Sequence, residues 1–286
     1  MTEPALIPYA VIGHPVTHSQ SPFIHAAFAA QTGEPVRYGR IDCGPDGFEA
    51  AVRRFAAEGA GGCNITVPFK FRAADLATRC SDRARLAGAA NILKFDPAPA
   101  GWLADNTDGS GLLRDIQRHA GFDLAGRRVL LIGAGGAGAG VLGPLLQAGP
   151  RQLVVVNRSP ERALALVERH AALASAHGVD LSTAPLDRPG SGFKLVINAS
   201  ASSLQAAGVP VPAAVLAPRA LAMDLMYGPA AQGFLDWAAA HGANGRDGLG
   251  MLVEQAAEAF FVWRGVRPDG APVLQALRRH LGAAAA

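Results

Sequence analysis

Of the 26 basic residues in this 286-residue chain only three are lysines: Lys70, Lys94 and Lys194. A lysine amine can take and return a proton during catalysis, whereas a guanidinium stays charged. Lys70 stands out further because it follows the stretch Gly62 to Val67 and then Pro68, a position that could face a cleft. The plain alternative is a solvated surface lysine. Asp108 is the second candidate, in the dense polar turn Asp105-Asn106-Thr107-Asp108-Gly109 ahead of an apolar helix. Its plain alternative is a helix cap. A carboxylate beside an amine would orient it and pass protons. Oxidation of a secondary alcohol needs such a group, because a hydroxyl proton leaves as hydride is transferred.

A hydride acceptor has a candidate site as well. Gly133-Ala134-Gly135-Gly136-Ala137-Gly138 follows the apolar run Val129 to Ile132 and opens a helix that Gly149-Pro150 stops; a second apolar run, Leu153 to Val156, follows. Strand, glycine turn, helix and strand in this order form a dinucleotide-binding unit. Gly133 allows the tight turn, Gly135 the close approach of a pyrophosphate, and Gly138 the packing of helix on strand. The helix start offers unpaired N–H groups to phosphate. Asn157-Arg158-Ser159 ends the second strand, where an NAD site usually has an acid. With no carboxylate to repel a 2′-phosphate and with Arg158 to bind it, the cofactor expected is NADP. The plain alternative is a solvated turn with a surface arginine.

These residues need elements to hold them. Strands are expected at Tyr9–Gly13, Val36–Asp42, Gly62–Pro68, Ala90–Phe95 and Trp102–Asp105, and in the second half at Leu195–Ile197 and Ala220–Leu225. Helices are expected after Pro22, with Ser21 as N-cap, and over Phe48–Glu58, within Arg72–Arg85, over Leu249–Val262 and near Pro272–Leu281. Alternation of strand and helix from the start indicates α/β architecture.

Composition narrows the class. The chain is 50% hydrophobic and long enough for two domains, with a net charge of only +3. Neither a dense basic tract nor a helix-turn-helix suggests nucleic acid as a partner. The apolar runs are too short for a membrane span. Cys43, Cys63 and Cys80 form no C-x-x-C pair, so neither a metal nor a disulfide framework is expected. Met1 to Pro4 does not begin a signal peptide, and a cytoplasmic location is the simplest expectation.

Several motifs, in order, resemble those of the shikimate dehydrogenase family. They are Ser19-x-Ser21-Pro22, Asn64-Ile65-Thr66-Val67-Pro68-Phe69-Lys70, Asn91, Asn106-Thr107-Asp108-Gly109 and Asp247-Gly248-Leu249-Gly250-Met251. The resemblance runs from about Tyr9 to the last helices. It implies that Lys70 and Asp108 are the catalytic pair. Ser19 and Ser21 would hold a substrate carboxylate, Thr66, Asn91 and Gln255 the ring hydroxyls, and Tyr227 would help close the site. NADP would lie on Gly133, Ala134, Gly135, Gly136 and Ala137 and on Asn157, Arg158 and Ser159. Leu225 and Gly248 would flank the nicotinamide, and Asp82 falls where some members touch the cofactor.

The fold implied is an N-terminal α/β substrate domain plus a Rossmann-type doubly wound NADP-binding domain, with a cleft between them. The expected bounds are 1–105 and 106–240, with the C-terminal helices at 241–286 packing back on the first domain. The partner implied is a small molecule, shikimate or 3-dehydroshikimate, in a monomer or homodimer. Three stretches depart from the family pattern: Ser159 stands where Thr is common, Leu225 where Met is common, and Ala199 to Leu204 differs from the usual A-T-x-x-G-M. The alternatives are a quinate/shikimate dehydrogenase using NAD or NADP, and a non-catalytic NADP-binding sensor.

Overall fold

A computed structural model describes residues 5–97, 101–200 and 208–285. Two compact units emerge. The first contains the N-terminal part through Gly111 and the C-terminal part from Val253; the second is Leu112–Leu252. The divisions fall inside two helices, which no shift in composition marks.

In the first unit the elements run β1 (Ile7–Gly13), α1 (Ser21–Thr32), β2 (Val36–Asp42), α2 (Phe48–Ala57), β3 (Gly62–Ile65), α3 (Lys70–Asp75), β4 (Arg79–Cys80), α4 (Asp82–Ala87), β5 (Ile92–Phe95), β6 (Trp102–Asp105) and the start of α5 (Asp108–Arg114). The six strands form one sheet in the order β2-β1-β3-β5-β6-β4. β1 pairs in parallel with β2 and β3, whereas β3–β5 and β5–β6 are antiparallel. As a result the ends of β1, β3 and β6 and the start of β5 meet at one edge of the sheet. The loops there begin at His14, Thr66 and Asn106, and Asn91 leads into β5.

The second unit continues with β7 (Arg128–Ile132), α6 (Gly136–Gln147), β8 (Gln152–Val156), α7 (Pro160–Ala176), β9 (Asp180–Thr183), β10 (Phe193–Asn198), β11 (Leu216–Asp224), α8 (Pro229–Ala240), β12 (Asn244–Arg246) and the start of α9 (Leu249–Arg264). Its sheet runs β12-β11-β10-β7-β8-β9, and every pairing is parallel. Both faces of such a sheet must be covered, which explains why Val129–Ile132 and Leu153–Val156 are buried almost without interruption. The order is that of a doubly wound dinucleotide-binding sheet, and it reverses between β7 and β10. α9 continues into the first unit, where α10 (Gly270–Ala285) completes the chain.

Helix α1 begins differently from expectation. Its N-cap is Gln20, without a side-chain cap, and Ser21 is the first helical residue. The Ser21 hydroxyl instead accepts from Ser19 Oγ at 3.2 Å. Ser21 is thereby turned to its neighbour in the loop rather than to the N–H groups of its own helix.

The core of the first unit includes a buried imidazole. His25 on α1 stacks on Tyr38 with centroids 4.1 Å apart, lies 5.4 Å from the Trp263 ring and meets Phe28 edge-on. Neither ring nitrogen has a hydrogen-bond partner of good geometry among the described residues. Burial pushes the His25 pKa down to about 3, which the nearby Asn64 side chain offsets only in part. The unfolded imidazole titrates near 6.5. Between those values the unfolded chain holds one proton more than the fold, so His25 weakens the fold as pH falls from about 6.5. The slope due to this one group is about 1.4 kcal/mol per pH unit. Urea unfolding at pH 7 and pH 5 should show a flatter loss for His25→Phe than for wild type. Equal losses would mean that His25 keeps its proton in the fold.

Candidate active site

The first group of residues lies at the sheet edge just described, within the first unit. Phe69, just before α3, is buried and stacks on Phe48 at 4.6 Å, with the Arg72 guanidinium over both rings. The Lys70 carbonyl accepts from Ala90 N at 2.8 Å. The start of α3 is therefore anchored from two sides, and the Lys70 side chain leaves from a fixed base. Its Nζ reaches Asp108 Oδ2 at 2.5 Å, with the two side chains 15% and 5% exposed. The other two lysines are engaged elsewhere: Lys94 is 3.6 Å from Asp96, and Lys194 donates to the Pro218 carbonyl.

Asn91 is the hub. Its backbone is held in the sheet, with Ile65 N donating to its carbonyl and its own N–H to Asp105 O. Its side-chain oxygen accepts from Thr107 N at 2.8 Å. Its Nδ2 lies 2.9 Å from Asp108 Oδ1, 2.9 Å from Thr107 Oγ1 and 3.1 Å from Gln255 Oε1. Two amide hydrogens thus face three oxygens, one of them in the buried Asp108 carboxylate. Gln255 comes from α9, far along the chain, and meets Thr107 Oγ1 as well. Lys70, Asn91, Asp108 and Gln255 are brought into one cluster together with Thr107, to which the sequence reading gave no role.

Thr66 and the serines lie at the same edge of the sheet, in the segments that follow β3 and β1. Thr66 N donates to Ile12 O, and His14 N to Val67 O, so the loops after β1 and β3 run side by side. Ser19 and Ser21 form a close pair, with Ser21 N donating to Ser19 Oγ at 3.3 Å.

A second layer holds the Asp108 turn in place, and sequence reasoning missed it. Asp105 accepts from Ser81 Oγ at 2.5 Å, from Arg83 Nε and Nη2 at 2.6 Å each, and from Asn106 N at 2.7 Å. Arg83 also donates to Ser110 and to Glu258 on α9, and Arg267 closes on Glu258. Burial works against the charge on Arg83, yet Asp105 and Glu258 hold its pKa above the ordinary value. Burial likewise opposes ionisation of Glu258, and Arg267 and Arg83 override it, holding its pKa low. The only sequence signal was Asp105 inside the polar turn; its partner, 22 residues earlier, carried none.

The second group lies within the second unit. β7 ends at Gly133, whose φ of 110° suits glycine. A Cβ there would come within 2.9 Å of the Ala199 and Ser200 backbone, where β10 ends. At Gly138 a Cβ would run into the Gly133 carbonyl oxygen, whereas Gly135 faces open space. Gly135 is also the N-cap of α6 and provides no side-chain cap, so the first N–H groups of α6 are left for a ligand.

Ala134 N donates to Asn157 Oδ1 at 3.1 Å, and Asn157 Nδ2 to Ser159 O at 3.0 Å. Asn157 thus ties the glycine turn to the turn after β8. Arg158 between them is exposed and has no ion-pair partner among the described residues. An uncapped helix start beside a glycine turn, with a free guanidinium one strand away, fits the phosphates of NADP.

The remaining residues expected at the cofactor divide. Leu225 N donates to Asn198 O, Gly248 N to Met226 O, and a Cβ on Gly248 would collide with the Leu225 backbone, so Leu225 and Gly248 are neighbours at the end of β11. Asp82 lies instead in the first unit, at the solvent-facing start of α4, with Arg85 Nη1 2.6 Å away. Tyr227, expected from the resemblance to meet the substrate, lies in the second unit just after β11. Of the stretch Ala199 to Leu204, residues 201–204 lie outside the described residues.

An all-parallel doubly wound sheet with a glycine turn, and a lysine–carboxylate pair in a polar cluster, define a dinucleotide-dependent oxidoreductase class of fold. Three family models match successive parts of the chain. They are the shikimate dehydrogenase substrate binding domain over residues 11–93, shikimate/quinate 5-dehydrogenase over 115–187, and the shikimate 5′-dehydrogenase C-terminal domain over 248–278. A shikimate dehydrogenase (NADP(+)) of Methylibium petroleiphilum is 65% identical, covering 94% of this chain and 93% of that one. The structure of shikimate 5-dehydrogenase from Thermus thermophilus in complex with NADP(H) and shikimate superposes with a TM-score of 0.82 at 33% identity, covering 96% of this chain and 99% of the other. Quinate dehydrogenase from Corynebacterium glutamicum in complex with NAD gives a TM-score of 0.83 at 25% identity, covering 96% and 100%. The chain belongs to the shikimate dehydrogenase family.

The Arg83 network generates a stability prediction. Removing one partner of a buried ion pair leaves an uncompensated charge and typically costs about 3–5 kcal/mol. Arg83→Ala leaves the Asp105 carboxylate without its cation, while Glu258 keeps Arg267, and should lower unfolding stability by that order. A urea-unfolding loss below about 1 kcal/mol, the scale of a surface pair, would show that the network contributes little.

Proposed function

We propose that the chain catalyses the reversible NADPH-dependent reduction of 3-dehydroshikimate to shikimate. The observation that carries this reading is the Lys70–Asp108 pair at 2.5 Å, joined through Asn91 to Gln255. The names of the relatives at high identity support the substrate and cofactor assignments.

The first unit is the substrate-binding and catalytic part, and the second holds NADP. Ser19 and Ser21 donate to the substrate carboxylate; Thr66, Asn91 and Gln255 fix the ring hydroxyls, and Tyr227 helps close the site. NADPH supplies the hydride when bound. Gly133 to Ala137 cradle its pyrophosphate, Asn157, Arg158 and Ser159 hold the 2′-phosphate end, and Leu225 and Gly248 flank its ring. The Lys70 ammonium, oriented by Asp108, donates a proton to the carbonyl oxygen as that carbon gains hydride. In the reverse direction the same nitrogen takes the hydroxyl proton while the C–H bond breaks. Asn91 keeps Asp108 turned to Lys70, so the pair does not have to assemble at the moment of reaction.

The protein works in the cytoplasm as a monomer or homodimer. No helix among the described residues is long and apolar enough to cross a membrane.

The quinate reading differs in two observables, substrate and cofactor. Steady-state kinetics of wild type and Arg158→Ala with shikimate and quinate, each with NADP and NAD, test both. Wild type should prefer shikimate with NADP. A charge-assisted contact to the 2′-phosphate is worth about 1.5–3 kcal/mol, or roughly 10- to 100-fold. Arg158→Ala should therefore lose about that much kcat/KM with NADP and little with NAD. Equal losses for both cofactors would remove Arg158 from 2′-phosphate recognition, and a preference for quinate with NAD would replace the proposed function.

A further inference from the structure

Strand β2 is one of the two edge strands of the first sheet, yet one face of it carries three polar contacts. Tyr38, Arg40 and Asp42 alternate along it and so point the same way. Each makes a polar contact at the functional edge. Tyr38 donates to Asn64 Oδ1 at 2.5 Å, and Asp42 Oδ1 meets His14 Nδ1 at 2.6 Å. Arg40 donates from both Nε and Nη2 to the backbone carbonyl of Ser19, at 3.0 and 2.5 Å.

That last contact bears on how Ser19 is oriented. The Ser19 N–H is satisfied by Val16 O, and its hydroxyl by Ser21. Val16 belongs to the same short loop, whereas Ser21 is the buried first residue of α1 and holds the Ser19 side chain to the helix. Arg40 supplies the hydrogen bonds that hold the Ser19 carbonyl, and they come from outside both the loop and α1. Two donors of a planar fork converging on one oxygen restrict the direction of the carbonyl as well as its distance. The Ser19 N–H bond to Val16 O holds the preceding peptide. The direction of the carbonyl then sets ψ at Ser19, and with it the direction in which the side chain leaves the backbone.

We propose that Arg40 is a positioning residue for the Ser19 half of the carboxylate clamp, acting through the Ser19 carbonyl and not by touching substrate. The proposal rests on the reading of Ser19 as a carboxylate-binding residue. It makes edge strand β2 the backing of the Ser19 carbonyl, while α1 holds the Ser19 hydroxyl.

The test is KM and kcat for shikimate in Ser19→Ala, Arg40→Ala, Arg40→Lys and the double variant Ser19→Ala/Arg40→Ala, with the NADP KM measured alongside. Arg40→Ala should raise the shikimate KM by about 10-fold, the scale of one charge-assisted hydrogen bond, while kcat and the NADP KM change little. Arg40→Lys, which keeps the charge and one donor direction, should recover part of the loss. In the double variant KM should be no worse than in Ser19→Ala alone, because Arg40 acts only through Ser19. Multiplied losses would show that Arg40 acts on the substrate independently and would overturn the proposal. A raised KM in Ser19→Ala with a normal KM in Arg40→Ala would overturn it while leaving the clamp intact. A normal KM in Ser19→Ala would remove the clamp reading and the proposal with it.

Discussion

A carboxylate as buried as that of Asp108 must be neutralised where it stands. Its side chain is 5% exposed, and an ionised group taken from water without partners costs many kcal/mol. Lys70 Nζ on one oxygen and Asn91 Nδ2 on the other supply what water no longer can. Much of the first unit follows from holding those two donors in place. Asn91 is pinned by the sheet on both sides, Lys70 by the Phe69–Phe48 stack, and the turn that carries Asp108 by the Asp105–Arg83 pair. The parallel β1–β3 pairing followed by two antiparallel strands is the topology that delivers all of these to one edge.

In the second unit the corresponding constraint is close approach. The sheet order reverses between β7 and β10, and Gly133 sits where the two strand ends diverge. Its positive φ and the nearness of the Ala199–Ser200 backbone leave no room for a side chain. Gly138 lets α6 begin directly against that turn. The helix start thus remains uncapped by protein while Asn157 fixes the turn from β8. The same shortage of space that demands glycine leaves backbone N–H groups exposed for phosphate.

The inner strands and the glycine turn of the second unit were legible in the sequence because their signals are local, whereas helices α7 and α8 were not expected. Apolar runs, a glycine turn and the breakers Gly149-Pro150 each report on their own few residues. The first unit was less legible. Strands β5 and β6 were expected, but their antiparallel pairing depends on contacts with β3 and left no local mark. Ser21 reads as a helix cap by type, yet the loop draws its hydroxyl to Ser19, and the helix starts one residue sooner. Lys70 and Asp108 were picked out by chemistry. Asn91, Gln255 and the serines came only through family resemblance, since a lone amide or hydroxyl has no signature. Arg83 and Thr107 were missed because their importance lies in partners that are distant in the chain or on another element. β9 and β12, short and polar at the sheet edges, lack the alternation that would have announced them.

The central claim is that Lys70 and Asp108 act as one proton-handling unit, and a double-mutant cycle on kcat tests it directly. Lys70→Ala should lower kcat by about 10²–10⁴, the usual span for general acid–base catalysis. Asp108→Asn should lower it as well. If Asp108 works only by orienting and charging Lys70, the double variant should be no slower than Lys70→Ala, because effects within one unit are not additive. Losses that multiply would show two independent contributions, and near-normal kcat in a folded Lys70→Ala variant would contradict the account outright.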